Sequence, residues 1–336
     1  AVANSDGMLV SLDKTDGSTV QIGLTGARDI EAIAFRPGTE ILFAANGGEL
    51  GVIDIVTGRY TPIGPIGTGQ GGVGPVPFDD VDGLTWDSTT GRLFASHRRQ
   101  GKTAADVLFQ IDSSTGTFVP GAFGGADYVI IGLTSTGEPD IDDIAFHPVT
   151  GVLFGIANNG GVGGTLIRIN RASGAISEVG PVVDAADPAN VIDDLEGLDF
   201  FNDGNLYGST GDWFTPTAEM NKLYRIDVDT GAAVLVGGFP EGHDDYEALA
   251  CLTADIADDD QDGIVNSGED INDNLLLSDD DTDLDGLPNY LDSDDDNDTI
   301  PTRVERMLDP TPDDDFDMDG LPSYRDLDSD GDMDMD

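Results

Sequence analysis

Apolar residues in the first three-quarters of the chain come in short runs separated by polar or glycine-bearing turns, and the same runs return. One phrase occurs five times: DIEAIAF at 29–35, DVDGLTW at 80–86, DIDDIAF at 140–146, DLEGLDF at 194–200 and DYEALAC at 245–251. A second follows four of them after a polar turn: LFAA at 42–45, LFAS at 93–96, LFGI at 153–156 and LYGS at 206–209. A third is a turn of the form Asp-x-x-Thr-Gly or a near variant, at 13–17, 54–58, 112–116, 170–174 and 227–231. Short runs with β-branched and aromatic residues, punctuated by Gly, Pro and Asp, predict antiparallel strands joined by tight turns.

The first phrases start 51, 60, 54 and 51 residues apart, a period that suits four-stranded propeller blades. The chain opens with a hairpin over Met8–Gly23, and the repeats close with a lone first phrase at 245–251. The two ends are therefore expected to complete one blade together, which protects the sheet edges. The expected fold class is all-β. A five-bladed β-propeller closed by N- and C-terminal strands covers 1–252, and an irregular calcium-stabilised repeat rod covers 253–336.

The periodicity changes after residue 252. Asp258, Asp260, Asp262, Ile264, Asn266 and Glu269 stand at positions 1, 3, 5, 7, 9 and 12 of a loop with Gly263 at position 6. Asp281, Asp283, Asp285, Leu287, Asn289 and Asp292 repeat that register around Gly286. Asp315, Asp317, Asp319, Leu321 and Asp326 repeat it around Gly320, with Ser323 at position 9. Asp294, Asp296, Asp298, Ile300 and Glu305 form another copy, with Thr299 in place of glycine and Thr302 at position 9. Asp328, Asp330, Asp332 and Asp334 begin a fifth.

This spacing suits calcium, a hard cation that takes six to eight oxygens at ~2.3–2.6 Å. Acids at 1, 3 and 5 converge as the chain wraps the ion, Gly at 6 permits the sharp turn, the carbonyl at 7 contributes, and an acid at 12 closes the cage. Pro288, Pro301 and Pro322 follow position 7, biasing it towards extended backbone that aims its carbonyl at the ion.

The stretches DTDLDGLPNYLD at 281–292 and DFDMDGLPSYRD at 315–326 resemble thrombospondin type 3 repeats. The resemblance implies calcium ions bound in series with little regular secondary structure, so flanking helices are not expected. The family's cysteines are absent.

Charge reinforces this division. The chain carries 66 acidic and 15 basic residues, and from Asp255 onward 31 acidic residues face only Arg303, Arg306 and Arg325. Such a balance excludes nucleic acid as a partner, because binding there rests on Lys and Arg meeting phosphates. It also disfavours anionic membranes, and no apolar run approaches the ~20 residues that membrane insertion requires. Cys251 is the only cysteine, so metal rather than disulfide is the expected staple. Millimolar calcium is an extracellular condition, which makes a secreted or cell-surface location the expectation.

The propeller phrases hold a second candidate. Their first and third residues are acidic: Asp29 and Glu31, Asp80 and Asp82, Asp140 and Asp142, Asp194 and Glu196, Asp245 and Glu247. Residues i and i+2 share one strand face, so these acids either ring the axis as a cation site or serve as acceptors for neighbouring blades. His97, His147 and His243 are scattered, and Arg98 with Arg99 reads as a small basic patch on an acidic body, placed to meet an acidic neighbour. No catalytic constellation is evident. The expected function is a non-enzymatic, calcium-binding structural or adhesive surface protein, with self-association into fibres expected from its cut fifth loop. The alternatives are a calcium-dependent hydrolase or lyase with an axial metal, and a glycan-binding propeller.

Overall fold

Every first phrase becomes the end strand of a sheet: Ile30–Phe35, Gly83–Asp87, Ile141–Phe146, Leu195–Phe200 and Tyr246–Ala248. The computed structural model describes residues 2–3, 7–27, 29–99, 104–135, 140–158, 163–193, 195–201, 203–211, 221–239, 246–252, 260, 262, 264, 269, 271, 277, 280–308 and 321–326. The chain divides into two units, Ala1–Leu252 and Thr253–Asp336.

The first unit is a propeller-like arrangement of antiparallel sheets. One is Ile30–Phe35, Leu42–Asn46, Glu49–Ile53 and Tyr60–Pro65; the next is Gly83–Asp87, Arg92–His97, Val107–Ile111 and Tyr128–Ile130. A third is Ile141–Phe146, Leu153–Ala157, Thr165–Ile169 and Ile176–Pro181. A fourth runs Leu195–Phe200, Leu206–Thr210, Lys222–Ile226 and Ala232–Gly238, with Val183–Asp184 added in parallel at its outer edge. The remaining sheet joins both ends of the unit, in the order Tyr246–Ala248, Val2–Ala3, Met8–Leu12 and Thr19–Leu24. Its second strand, Val2–Ala3, is too short to carry a hydrophobic period and was not anticipated. The ribbon Thr68–Gly71 with Gly74–Pro77 stands apart from these sheets.

The recurring Leu-aromatic pair has a packing reason. Side chains alternate across a strand, and both faces of these sheets are covered. Leu42 and Ala44 pack with Leu9 and Ala248 of the sheet before, whereas Phe43 and Ala45 pack with Leu84, Leu93 and Phe109 of the sheet after. Leu93 and Phe94, Leu153 and Phe154, and Leu206 and Tyr207 divide between two apolar clusters in the same way. The end strands contact one another in a cyclic order: Ile30–Phe35 against Gly83–Asp87, then Ile141–Phe146, Leu195–Phe200, Tyr246–Ala248 and back to Ile30–Phe35.

An end strand presents outward N–H groups that have no ladder partner, and burying them unpaired is unfavourable. Side chains of the preceding sheet accept from them. Asp143 accepts from Leu198 N at 2.6 Å, Asp199 from Cys251 N at 2.7 Å, Asp106 from Ile141 N at 2.8 Å and Thr85 Oγ1 from Phe146 N at 3.1 Å. These groups are architectural. Among the described residues no helix is long and apolar enough to cross a membrane.

Burial raises the Asp199 carboxyl to about 7, against the lowering effect of the amides of Cys251 and Phe200. In the unfolded chain an Asp titrates near ~3.9, so the folded state holds the extra proton between these values and stability falls as pH rises through that window. Urea denaturation at a series of pH values is expected to show a shallower decline between about pH 4 and pH 7 for Asp199→Asn than for the unsubstituted chain. Parallel profiles would contradict the assignment.

Candidate metal centres

Two acidic loops in the second unit share one backbone conformation. In copy 281–292, Leu284 and Gly286 at positions 4 and 6 have φ of 63° and 98°. In copy 294–305, Asn297 and Thr299 at the same positions have φ of 59° and 87°. Side-chain oxygens at the odd positions accept from backbone amides further along. Asp283 accepts from Asp285 N and Asp285 from Leu287 N, and likewise Asp296 from Asp298 N and Asp298 from Ile300 N. Each bond occupies one carboxylate oxygen and turns the chain inward. The result is a triplet, Asp281, Asp283 and Asp285, and another, Asp294, Asp296 and Asp298, each offering oxygens within 4.8 Å of one another. Two oxygens on opposite sides of a calcium ion lie ~4.6–5.2 Å apart, so the triplets have the right span.

The proline after position 7 also opens a helical turn. Pro288 and Pro322, at φ −65° and −67°, cap the short 3-10 turns Asn289–Leu291 and Ser323–Arg325. The carbonyl of Pro301 likewise starts the helix Thr302–Leu308. One helical turn from position 9 carries position 12 back to the triplet. Asp292 lies close enough to Asp281, Asp283 and Asp285, and Glu305 to Asp294, Asp296 and Asp298, for these acids to raise their pKa. The helix also departs from the expectation of loops without flanking helices.

Position 9 is a clamp. Asn289 is buried, with Oδ1 accepting from Thr282 N at 2.9 Å and Nδ2 donating to Thr282 Oγ1 at 2.9 Å. Thr302 Oγ1 accepts from Asp295 N at 3.1 Å in the equivalent place. The Asn289 carboxamide, a candidate ligand by register, is thus engaged within the backbone frame. Leu287 and Leu321 expose their side chains, leaving position 7 only its carbonyl to contribute.

Several carboxylate oxygens are buried without a hydrogen-bond partner: Oδ1 of Asp281 and Asp294, Oδ2 of Asp296 and Asp298, and both oxygens of Asp295 and Glu305. Burial, then the neighbouring acids, push Glu305 up to about 9, Asp295 to about 8 and Asp296 to about 6. A cation that supplies the missing partner fits this donor set, which is hard oxygen throughout. Asp295 was not among the sequence candidates. It stands at position 2 of its own copy, yet its oxygens lie within 4.8 Å of those of Asp260, Asp262 and Glu269. Asp258, Asn266, Asp315, Asp317, Asp319, Asp328, Asp330, Asp332 and Asp334 lie outside the described residues. Asp326 and Ile264 are described; the Asp326 amide donates to Asp296, and Ile264 N donates to Asp262 Oδ1 at 2.7 Å.

The acids of the first phrases meet a cation of the protein's own. Arg98 donates from Nε to Asp140 at 2.9 Å and from Nη2 to Asp142 at 3.0 Å, with Asp82 at 3.5 Å. Burial disfavours the guanidinium charge, but Asp82, Asp142, Asp140 and Asp80 outweigh it and hold Arg98 protonated. Arg98 therefore meets acidic neighbours, as its place on an acidic body suggested. The strict i, i+2 alternation is broken, because register shifts fall at Glu31, Asp142 and Glu196 and bulges re-aim side chains. Glu31, Asp80 and Asp82 also offer oxygens within 4.8 Å of one another, and burial with Asp80 and Asp29 raises Glu31 to about 7. His97 Nδ1 lies 2.6 Å from Asp80 O, and His147 Nδ1 accepts from Val149 N and Thr150 N, so both serve turns. Asp194, Asp245 and His243 lie outside the described residues.

A family model described as BamM C-terminal matches residues 259–311; the likeness to thrombospondin type 3 repeats rests on spacing alone. No curated protein matches the chain. Among solved structures, the extracellular domain of a one-component system from B. thetaiotaomicron is 12% identical with a TM-score of 0.35, covering 68% of this chain and 25% of that one. A chain of the Nidogen/Laminin complex is 13% identical with a TM-score of 0.43, covering 73% and 95%. A gluconolactonase from Xanthomonas campestris is 14% identical with a TM-score of 0.42, covering 76% and 92%. The chain thus spans only 25% of the length of the first of these. Enzymes and other proteins stand together here, and likeness at this level carries no argument about function.

Thr299 holds a β-branched side chain in left-handed backbone, a conformation that is strained by about 1–3 kcal/mol. Thr299→Gly is expected to stabilise the second unit by about 1 kcal/mol, read by hydrogen exchange of peptides covering 294–305. Unchanged or faster exchange would mean that the loop does not hold this conformation.

Proposed function

We propose that the chain is a non-enzymatic, extracellular calcium-binding protein with a structural or adhesive role: a five-bladed propeller closed by its two ends, followed by repeats that calcium ions stiffen. The cyclic order of end-strand contacts supports the closed five-blade ring. The observation that carries the calcium reading is Glu305. Its carboxylate is 5% exposed, neither oxygen has a hydrogen-bond partner, and it lies beside the triplet Asp294, Asp296 and Asp298. Four acids gathered in one place, with no lysine or arginine paired to Glu305, Asp296 or Asp298 among the described residues, require an external cation. Calcium suits them better than magnesium. It accepts flexible, many-oxygen cages, whereas magnesium demands a tighter octahedron and keeps its waters.

The enzymatic alternative places a metal among the first-phrase acids. Arg98 already lies between Asp82, Asp140 and Asp142, which favours the structural reading of that region.

Isothermal titration of the full chain separates these outcomes. Calcium is expected to bind at several sites with dissociation constants of about 10⁻³ M or tighter, and magnesium at least ~10-fold more weakly. Glu305→Gln is expected to remove one site's heat. Absence of calcium heat, or equal binding of both ions, would overturn the proposal.

A further inference from the structure

The fourth member of the cluster around Asp260 comes from a different repeat. Asp260, Asp262 and Glu269 belong to copy 258–269, whereas Asp295 belongs to copy 294–305, with the whole of copy 281–292 between them in sequence. Asp295 is 1% exposed, and both its carboxylate oxygens lack a hydrogen-bond partner. It is not a loose surface acid that happens to fall nearby. Its own amide is fixed to Thr302 Oγ1, just as the amide of Thr282, at the same position of copy 281–292, is fixed to Asn289 Oδ1. Position 2 therefore has the same backbone tie in both copies, and its side chain does not join the triplet of its own loop. In copy 281–292 that position is a threonine, which uses its hydroxyl on Asn289. In copy 294–305 it is an acid, and its oxygens lie among those of another repeat.

We propose that Asp295 is a calcium ligand shared between repeats: one ion is held jointly by Asp260, Asp262 and Glu269 of the first copy and by Asp295 of the copy at 294–305. Four carboxylates within 4.8 Å of one another span the diameter of a calcium shell and leave room for carbonyl or water oxygens to complete six to eight ligands. The ion makes a brace that closes a long loop of chain, as a metal clip does. The two copies then gain order together rather than as independent beads, because binding free energy at this ion is folding free energy for both. This inference rests on the calcium reading above.

Native mass spectrometry of the full chain, at a calcium concentration that just saturates it, tests the brace. Asp295→Asn is expected to carry one ion fewer than the unsubstituted chain, as is Glu269→Gln. Asp295→Asn combined with Glu269→Gln is expected to lose the same single ion, whereas Asp295→Asn combined with Glu305→Gln is expected to lose two. A full ion count in Asp295→Asn, or two ions lost in its combination with Glu269→Gln, overturns the brace. An unsubstituted chain that carries no calcium overturns the calcium reading itself.

Hydrogen exchange separates ligation from misfolding. With calcium present, peptides covering 294–305 are expected to exchange faster in Asp295→Asn. In excess chelator they are expected to exchange no faster than in the unsubstituted chain, because an amide neither repels the neighbouring carboxylates nor has to take up a proton. Faster exchange under both conditions marks a structural residue and overturns the assignment.

Discussion

Carboxylates that converge repel one another. At the 4.8 Å separations of the acidic clusters, each pair of ionised groups opposes folding by about 3–4 kcal/mol at an effective dielectric of ~20. Burial adds to this, because a charge removed from water needs a partner. The loops at 281–305 nevertheless bring these groups together and fix them there through backbone amides, left-handed residues and a helical turn at position 9. Such a frame carries a repulsion that a bound cation, as proposed above, would relieve.

The two units meet the same requirement by different means. In the first, several buried acids are matched by groups of the chain itself, although Oδ2 of Asp142 has no hydrogen-bond partner. Asp143, Asp199 and Asp106 accept from backbone amides of the following sheet, and Asp140 and Asp142 pair with Arg98. Those acids tie sheet to sheet, where a hydrophobic cluster alone would leave N–H groups unpaired. In the second unit, Asp295, Asp296, Asp298 and Glu305 have buried oxygens with no such partner. A bound cation, as proposed, would supply the positive partner that no lysine or arginine gives Asp296, Asp298 or Glu305 among the described residues.

Much of this was legible in the sequence, for identifiable reasons. The Leu-aromatic phrases revealed the strands because both faces of each sheet are buried, so Leu42 and Phe43 are constrained on opposite sides. The convergence of the acids at positions 1, 3 and 5 was legible because their alternate spacing places them on the inner side of a turning loop. Val2–Ala3 was not, since two residues carry no period. Thr299 shows that the left-handed turn persists without glycine, so its absence weakened the register on paper more than in space. Asn289, a candidate ligand by register, also clamps the loop, a role that register alone does not reveal. Asp295 was missed, and the acids that Arg98 meets were not named, for a common reason. Each acts on residues far away in sequence, and a single chain without alignment holds no signal for that pairing.

The central claim is that cations sit where the unpaired carboxylates converge. A crystal structure of the full chain grown with calcium, with anomalous diffraction measured at a long wavelength, locates such ions directly. The account predicts peaks between Asp294, Asp296, Asp298 and Glu305, between Asp281, Asp283, Asp285 and Asp292, and beside Asp295. Carboxylates splayed apart, with water and no anomalous peak among them, would contradict it.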